Sequence, residues 1–128
     1  MTNQEAFEKV AHHLLSLKEP SVDKGQCKYR ARNGNKCAIG ILIPDEQYDP
    51  AFEDKSVHGL RVPCLENLSR SLLSSLQRTH ESFSMFQNFP YAPPNILARL
   101  HQTGERHGLN TEFLGFILRN SNNKSRSF

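Results

Sequence analysis

Five apolar residues near the start of the chain, Phe7, Val10, Ala11, Leu14 and Leu15, recur at the i, i+3, i+4, i+7 and i+8 spacing that gathers them on one face of an α-helix. Such a face has to be buried, so whatever follows must supply a core to receive it. Thr2 and Glu5 stand in the order of a capping box, in which each side chain satisfies a backbone donor at a helix start. Pro20 stops this helix near Lys18. The helical pattern then returns. Pro63 suits the first turn of a second helix, where its missing N–H costs nothing, and Leu65, Leu68, Leu72, Leu76 and Phe83 continue down one face. A third helix opens at Pro93 or Pro94, turns Ile96, Leu97 and Leu100 inward and leaves Gly108 as the left-handed residue past its end. Asn110 or Thr111 can cap a short fourth helix carrying Phe113, Leu114, Ile117 and Leu118.

Between the first two helices the period changes. Cys27 to Ala31 alternates like a strand, and Asn33-Gly34 tolerates the positive φ angles of a tight hairpin turn. The return run from Lys36 to Ile43 either completes the hairpin or passes from a brief strand into a short buried helix ended by Pro44, since periodicity does not separate the two over so few residues. The fold class expected is α+β, mostly α: about four helices around one core, with a short β-hairpin near residues 26–43. A chain of 128 residues supports one core and not two, which gives a single globular domain over residues 1–119. Residues 120–128, mostly Asn, Ser and Lys, are expected to form a disordered tail. No run approaches the roughly 18 apolar residues that cross a bilayer, and Met1 to Glu5 has neither the basic nor the apolar region of a secretory signal. A cytoplasmic location without membrane attachment is expected.

The stretch Cys27-Lys28-Tyr29-Arg30, followed after the glycine turn by Lys36-Cys37-Ala38-Ile39-Gly40-Ile41-Leu42-Ile43-Pro44-Asp45-Glu46-Gln47-Tyr48, resembles a known signature: C-x-Y-R, a glycine turn, then K-C-A-I-G-x-L-I-P-D-E-x-Y. That signature belongs to small uncharacterised proteins of phages, prophages and bacterial mobile gene cassettes. Weaker echoes lie at Leu76-Gln77 with His80, and at His107-Gly108-Leu109. The resemblance implies a mobile-element origin and carries over no mechanism and no catalytic residues.

Three cysteines form an odd set in a chain without an export signal, so reduced thiols are expected. Cys27 and Cys37 across the hairpin, with His58 and Cys64, would offer four ligands of the kind zinc prefers. Structural zinc sites usually draw on close C-x-x-C or H-x-x-x-H pairs, however, and none exists here; His12 and His13 are adjacent on a helix and point apart. No metal and no cofactor are expected. Cys37 at the start of a short helix would have its thiolate favoured by the helix dipole, with His80 or Asp45 as partner, which defines a small cysteine-dependent enzyme as one alternative. Its apolar neighbours argue instead for burial, so no catalytic residue is assigned. The acidic run Asp45 to Asp54 lacks the glycine and spaced oxygen ligands of a calcium loop and reads as a solvated turn.

The formal net charge of +3 is too small to define a partner by itself, but its distribution is uneven. Lys18, Lys24, Lys28, Arg30, Arg32 and Lys36 gather around the hairpin, and Tyr29 among them could stack a base, so a nucleic-acid-binding module using Tyr29, Arg30 and Arg32 is the second alternative. For Arg30 the favoured reading is a pairing with Asp45 or Glu46 that pins the hairpin to the next turn. The run Phe83 to Tyr91 holds Phe83, Met85, Phe86, Phe89 and Tyr91 among prolines, and reads either as a lid on the core or as a contact surface. The favoured function is a non-catalytic protein that binds a host or self partner, with Phe83, Phe86, Phe89 and Tyr91 as contact residues and a homodimer as the simplest case.

Overall fold

At the N-terminus the capping box is formed in full: the Glu5 N–H donates to Thr2 Oγ1 at 3.1 Å, and the Thr2 N–H donates to Glu5 Oε1 at 3.0 Å. These bonds hold the Glu5 carboxyl below its usual pKa, the backbone bond with Thr2 contributing most. They open α1 (Asn3–Ser16) in a computed structural model that describes residues 1–16, 22–23, 26–31, 34–84 and 93–115. Two strands of two residues follow, β1 (Val22–Asp23) and β2 (Gln26–Cys27), then α2 (Arg70–Ser84) and α3 (Pro93–Arg106). Between β2 and α2 the chain runs through five 3-10 turns, at Gly40–Leu42, Asp45–Gln47, Pro50–Asp54, Val57–Gly59 and Pro63–Leu65.

The α1 stripe is buried as a unit, from Ala6 and Phe7 to Leu14 and Leu15. It packs against α3 and the Gly40–Leu42 turn, and one contiguous core also takes in Ile39, Leu42, Ile43, Leu60, Leu65, Leu72, Leu76, Ile96, Leu100 and Leu114. Burying a side chain of this size stabilises by about 1.5–3 kcal/mol, so the core is the main favourable term. The α3 helix closes with the Leu109 N–H on the Gly104 carbonyl at 2.8 Å and the Gly108 N–H on the Glu105 carbonyl at 3.2 Å, with Gly108 at φ 67°. This is the Schellman arrangement, and its left-handed residue favours glycine. Gly104 lets α3 approach Phe7, since a Cβ there would stand 2.9 Å from Phe7 Cζ and 2.3 Å from Thr111 Cγ2. Asn110 Oδ1 then accepts the Glu112 N–H at 2.8 Å and starts a helical turn at residues 113–115, where Phe113 sets its ring edge-on to Phe7 at 5.5 Å. Ile117, Leu118 and the tail over 120–128 lie outside the described residues, as does the stop near Lys18 and Pro20.

The described chain is mostly helical, and the α+β class with a hairpin over residues 26–43 does not hold. Gln26–Cys27 pairs with Val22–Asp23 upstream, a ladder too short to form a sheet layer, and among the described residues the ladder pairing of the Lys36 to Ile43 run with the earlier segment is limited to an isolated Arg30–Lys36 bridge. The return run bends because the Cys37 Sγ accepts the Gly40 N–H at 3.3 Å and the Cys37 carbonyl accepts the Ile41 N–H at 3.1 Å, which turns it inward as a 3-10 element. The second helix also starts later than Pro63. Ser69 is its cap, its Oγ accepting the Leu72 N–H at 3.2 Å, so Leu65 and Leu68 are buried from the segment before the helix, and Leu72 and Leu76 from the helix itself.

Candidate functional site

The signature residues converge on one carboxylate. Asp49 Oδ1 accepts the Ala51 N–H at 2.9 Å and Pro50 occupies the first position, which starts the Pro50–Asp54 turn and presents Glu53 one turn on. Glu53 Oε1 accepts the Tyr29 N–H at 2.9 Å, while Oε2 accepts the Arg30 N–H at 3.1 Å and the Tyr48 O–H at 2.6 Å. Three donors on one carboxylate are charge-assisted bonds, each worth about 1.5–3 kcal/mol. Burial and then the bond to Glu53 push the Tyr48 hydroxyl up to about 12, so it acts as a donor at every physiological pH.

Arg30 is held from three sides. Its Nη2 donates to the Ile43 carbonyl at 3.1 Å and pairs with Asp45 Oδ1 at 2.8 Å, and its guanidinium lies 4.3 Å from the centre of the Tyr48 ring. Lys36 Nζ stands 3.9 Å from the same Asp45 oxygen. Asp45 is 83% exposed, so the pair is screened by water and its value is in placing Arg30 more than in energy. Gly40 lies directly on this assembly: a Cβ at that position would fall 1.9 Å from the Tyr29 carbonyl oxygen. Only glycine permits the approach, which the Cys37 N–H to Tyr29 carbonyl bond of 3.2 Å fastens.

Of the residues read as nucleic-acid contacts, Tyr29 is 6% exposed with its O–H on the Lys55 carbonyl at 2.7 Å, and Arg30 is taken up as described. Neither offers a free ring face or an open guanidinium; both belong to the internal assembly. Arg32 lies outside the described residues, as do Phe86, Phe89 and Tyr91. Phe83 falls within α2, and its side chain is also outside them. The Cys37 thiol is 0% exposed, and burial pushes it up to about 12, the reverse of what a nucleophile needs. Its neighbour Gln77 accepts the Ile39 N–H at 3.4 Å. Cys64 is half-buried with its Sγ on the Leu42 carbonyl at 3.4 Å, and its pKa too is raised by burial. Among the described residues no three His, Cys, Asp or Glu side chains are placed to share a metal ion. Ser75 Oγ and His107 Nε2 lie 3.1 Å apart and tie α2 to the end of α3.

Beside the Glu53 assembly a cleft of about 220 Å³ opens between the turns at 50–59 and the middle of α2, lined by Tyr29, Glu53, Lys55, Ser56, Val57, His58, Ser74, Gln77 and Arg78. Lys55, Ser56, His58 and Arg78 are exposed at its rim, Val57 and Gln77 are buried in its wall, and neither Lys55 nor Arg78 makes an ion pair among the described residues. The Asp45 to Asp54 run, expected as a solvated turn, instead supplies Glu53 and borders the cleft. The Asp49-Pro50 step is the signal that was there to use, because an acidic cap before proline starts a turn and fixes the direction of the side chain four residues later. No helix of the described residues is long and apolar enough to cross a membrane. Comparison with protein-family models, with curated proteins and with solved structures returns no match to this chain.

Proposed function

We propose that this chain is a non-catalytic binding protein of mobile-element origin, which grips a partner protein through the cleft between the 50–59 turns and α2. One observation carries the reading: Tyr29, Arg30, Asp45 and Tyr48 of the signature are engaged with one another and with Glu53, whereas Lys55 and Arg78 at the cleft rim have no ion-pair partner among the described residues. A buried thiol pushed up to about 12 supports a binding role over a cysteine enzyme. On sequence grounds the aromatic run Phe83 to Tyr91, which follows Arg78 closely, supplies further contact surface for a partner or a second copy.

Capture from host lysate by the tagged protein, run with and without nuclease, tests this. A single co-purifying protein that survives nuclease is the expected result, and sedimentation of the isolated chain checks for a self partner. Capture that disappears with nuclease would replace the reading by nucleic-acid binding; no partner and a monomer would remove it. Phe86→Ser with Phe89→Ser should weaken capture while the protein stays folded.

A further inference from the structure

We infer that the cleft is a seat for one carboxylate, carried by an acidic segment of the partner protein. The inference rests on the reading of the chain as a binding protein and names what that protein recognises. Lys55 and Arg78 stand on the rim against a single acid, Glu53, so two cationic side chains face one carboxylate. Glu53 is itself covered by the Tyr29 and Arg30 N–H groups and the Tyr48 hydroxyl, which face its two oxygens and reduce its repulsion of an incoming anion. A monoanion matches that balance; a doubly charged phosphate beside Glu53 does not, because like charges at close range cost free energy that one excess cation does not offset.

Hydrogen-bonding capacity agrees with the charge. Ser56 and Ser74 line the same cleft and can donate to carboxylate oxygens. Size excludes larger ligands: about 220 Å³ lies below the roughly 300–1,000 Å³ of clefts that enclose whole cofactors or drug-sized molecules, and suits an acidic side chain or a chain end. The rim is also held in place before binding. The Tyr29 O–H bonds the Lys55 carbonyl at 2.7 Å, Arg70 Nη1 bonds the Val57 carbonyl at 3.0 Å, and Val57 is anchored in the core. A fixed rim avoids the ordering cost that a mobile loop would bring to binding.

The test uses a fluorescein-labelled hexaglutamate peptide, read by anisotropy at low salt, with the full chain and with Lys55→Gln, Arg78→Gln and the pair. Both residues are exposed, and thermal melts confirm that the variants are folded. The pair should weaken peptide binding about tenfold or more, equivalent to about 1.4 kcal/mol. Lys9→Gln with Arg106→Gln, which removes the same charge from outside the cleft, should leave it unchanged. Acetate and inorganic phosphate are then compared as competitors, and acetate is expected to do at least as well. The seat is overturned if the wild type does not bind the peptide, if both pairs of substitutions weaken it equally, or if phosphate displaces it far more readily than acetate. A lysate partner still captured by the Lys55→Gln, Arg78→Gln chain would sink this inference alone, whereas absence of any captured partner sinks the binding-protein reading beneath it.

Discussion

The segment from Tyr29 to Glu53 and the pair α1 and α3 reach the same core by different chemistry. The helices meet through apolar stripes and close backbone approach at Gly104, with capping bonds at the start of α1. The signature segment has little regular structure, and is held by a carboxylate, a guanidinium and two tyrosine hydroxyls that act across 5 to 26 residues. A chain can therefore fix irregular backbone as firmly as a helix, provided that one buried-facing acid gathers the N–H groups that a strand partner would otherwise take. Tyr29 and Arg30, which look like part of a binding set in the sequence, are engaged inside this assembly, and the surface left beside them becomes the candidate for recognition.

Gly40→Ala is the severest challenge to this contrast. The new Cβ meets a backbone oxygen that no rotamer change can move, so a loss of about 3 kcal/mol or more is expected. Chemical denaturation measures it; a loss under about 1 kcal/mol would mean that the two segments part easily and that the assembly is not rigid. Next comes a matched pair, Leu14→Ala for the helical half and Glu53→Gln for the signature half. Truncating the buried leucine should cost about 3 kcal/mol. The glutamine should cost about 2 kcal/mol, because its NH2 group faces donors where an acceptor stood. If Glu53→Gln proves neutral while Leu14→Ala does not, apolar packing alone holds both halves and the contrast fails.

The helical half was legible because its information is local. Thr2 and Glu5 three apart, the apolar spacing of α1, proline at the head of α3 and Gly108 past its end each act within a few residues of themselves. The start of α2 was misplaced because two turn-starting signals, Pro63 and Ser69, lie close together, and only the core decides that the chain between them does not continue as helix. The hairpin reading failed for the opposite reason. Alternation and Asn33-Gly34 favour it locally, but Gly40 packed on Tyr29 and Glu53 capping the Tyr29 and Arg30 amides compete for the same backbone. Those competitors arrive from 11 to 24 residues away, beyond the reach of any periodic pattern. Of the candidate site, the Arg30–Asp45 pairing was foreseen as one option, and the cleft was not.

The smallest effect concerns His13, the link between the two halves. Its Nε2–H donates to the Lys36 carbonyl, and desolvation lowers its pKa below the usual 6.5, opposed by that bond and aided by the charge of Lys36. With the folded value depressed, the unfolded chain takes up a proton first on acidification. The contribution of neutral His13 is thus whole above pH 6.5 and declines as pH falls through the depressed value. Denaturation midpoints should fall over that window in the wild type and lose this slope in His13→Asn. A slope that survives the substitution would assign the effect elsewhere and leave the halves unlinked by this histidine.

Near its start the chain is tied to parts of itself made much later. Asn3 Oδ1 accepts the Ser69 N–H at 2.9 Å, and Gln4 exchanges two hydrogen bonds with the backbone of Asn110, a span of 106 residues. Closing so long a loop costs on the order of 4 kcal/mol of chain entropy before those contacts give anything back. During synthesis, at about 5–20 residues per second, the apolar face of α1 therefore waits several seconds for α3 and Asn110 to emerge. Of the elements described, α1 is made before the others yet is among the last to be fully covered, and that interval is when a chaperone would find it exposed.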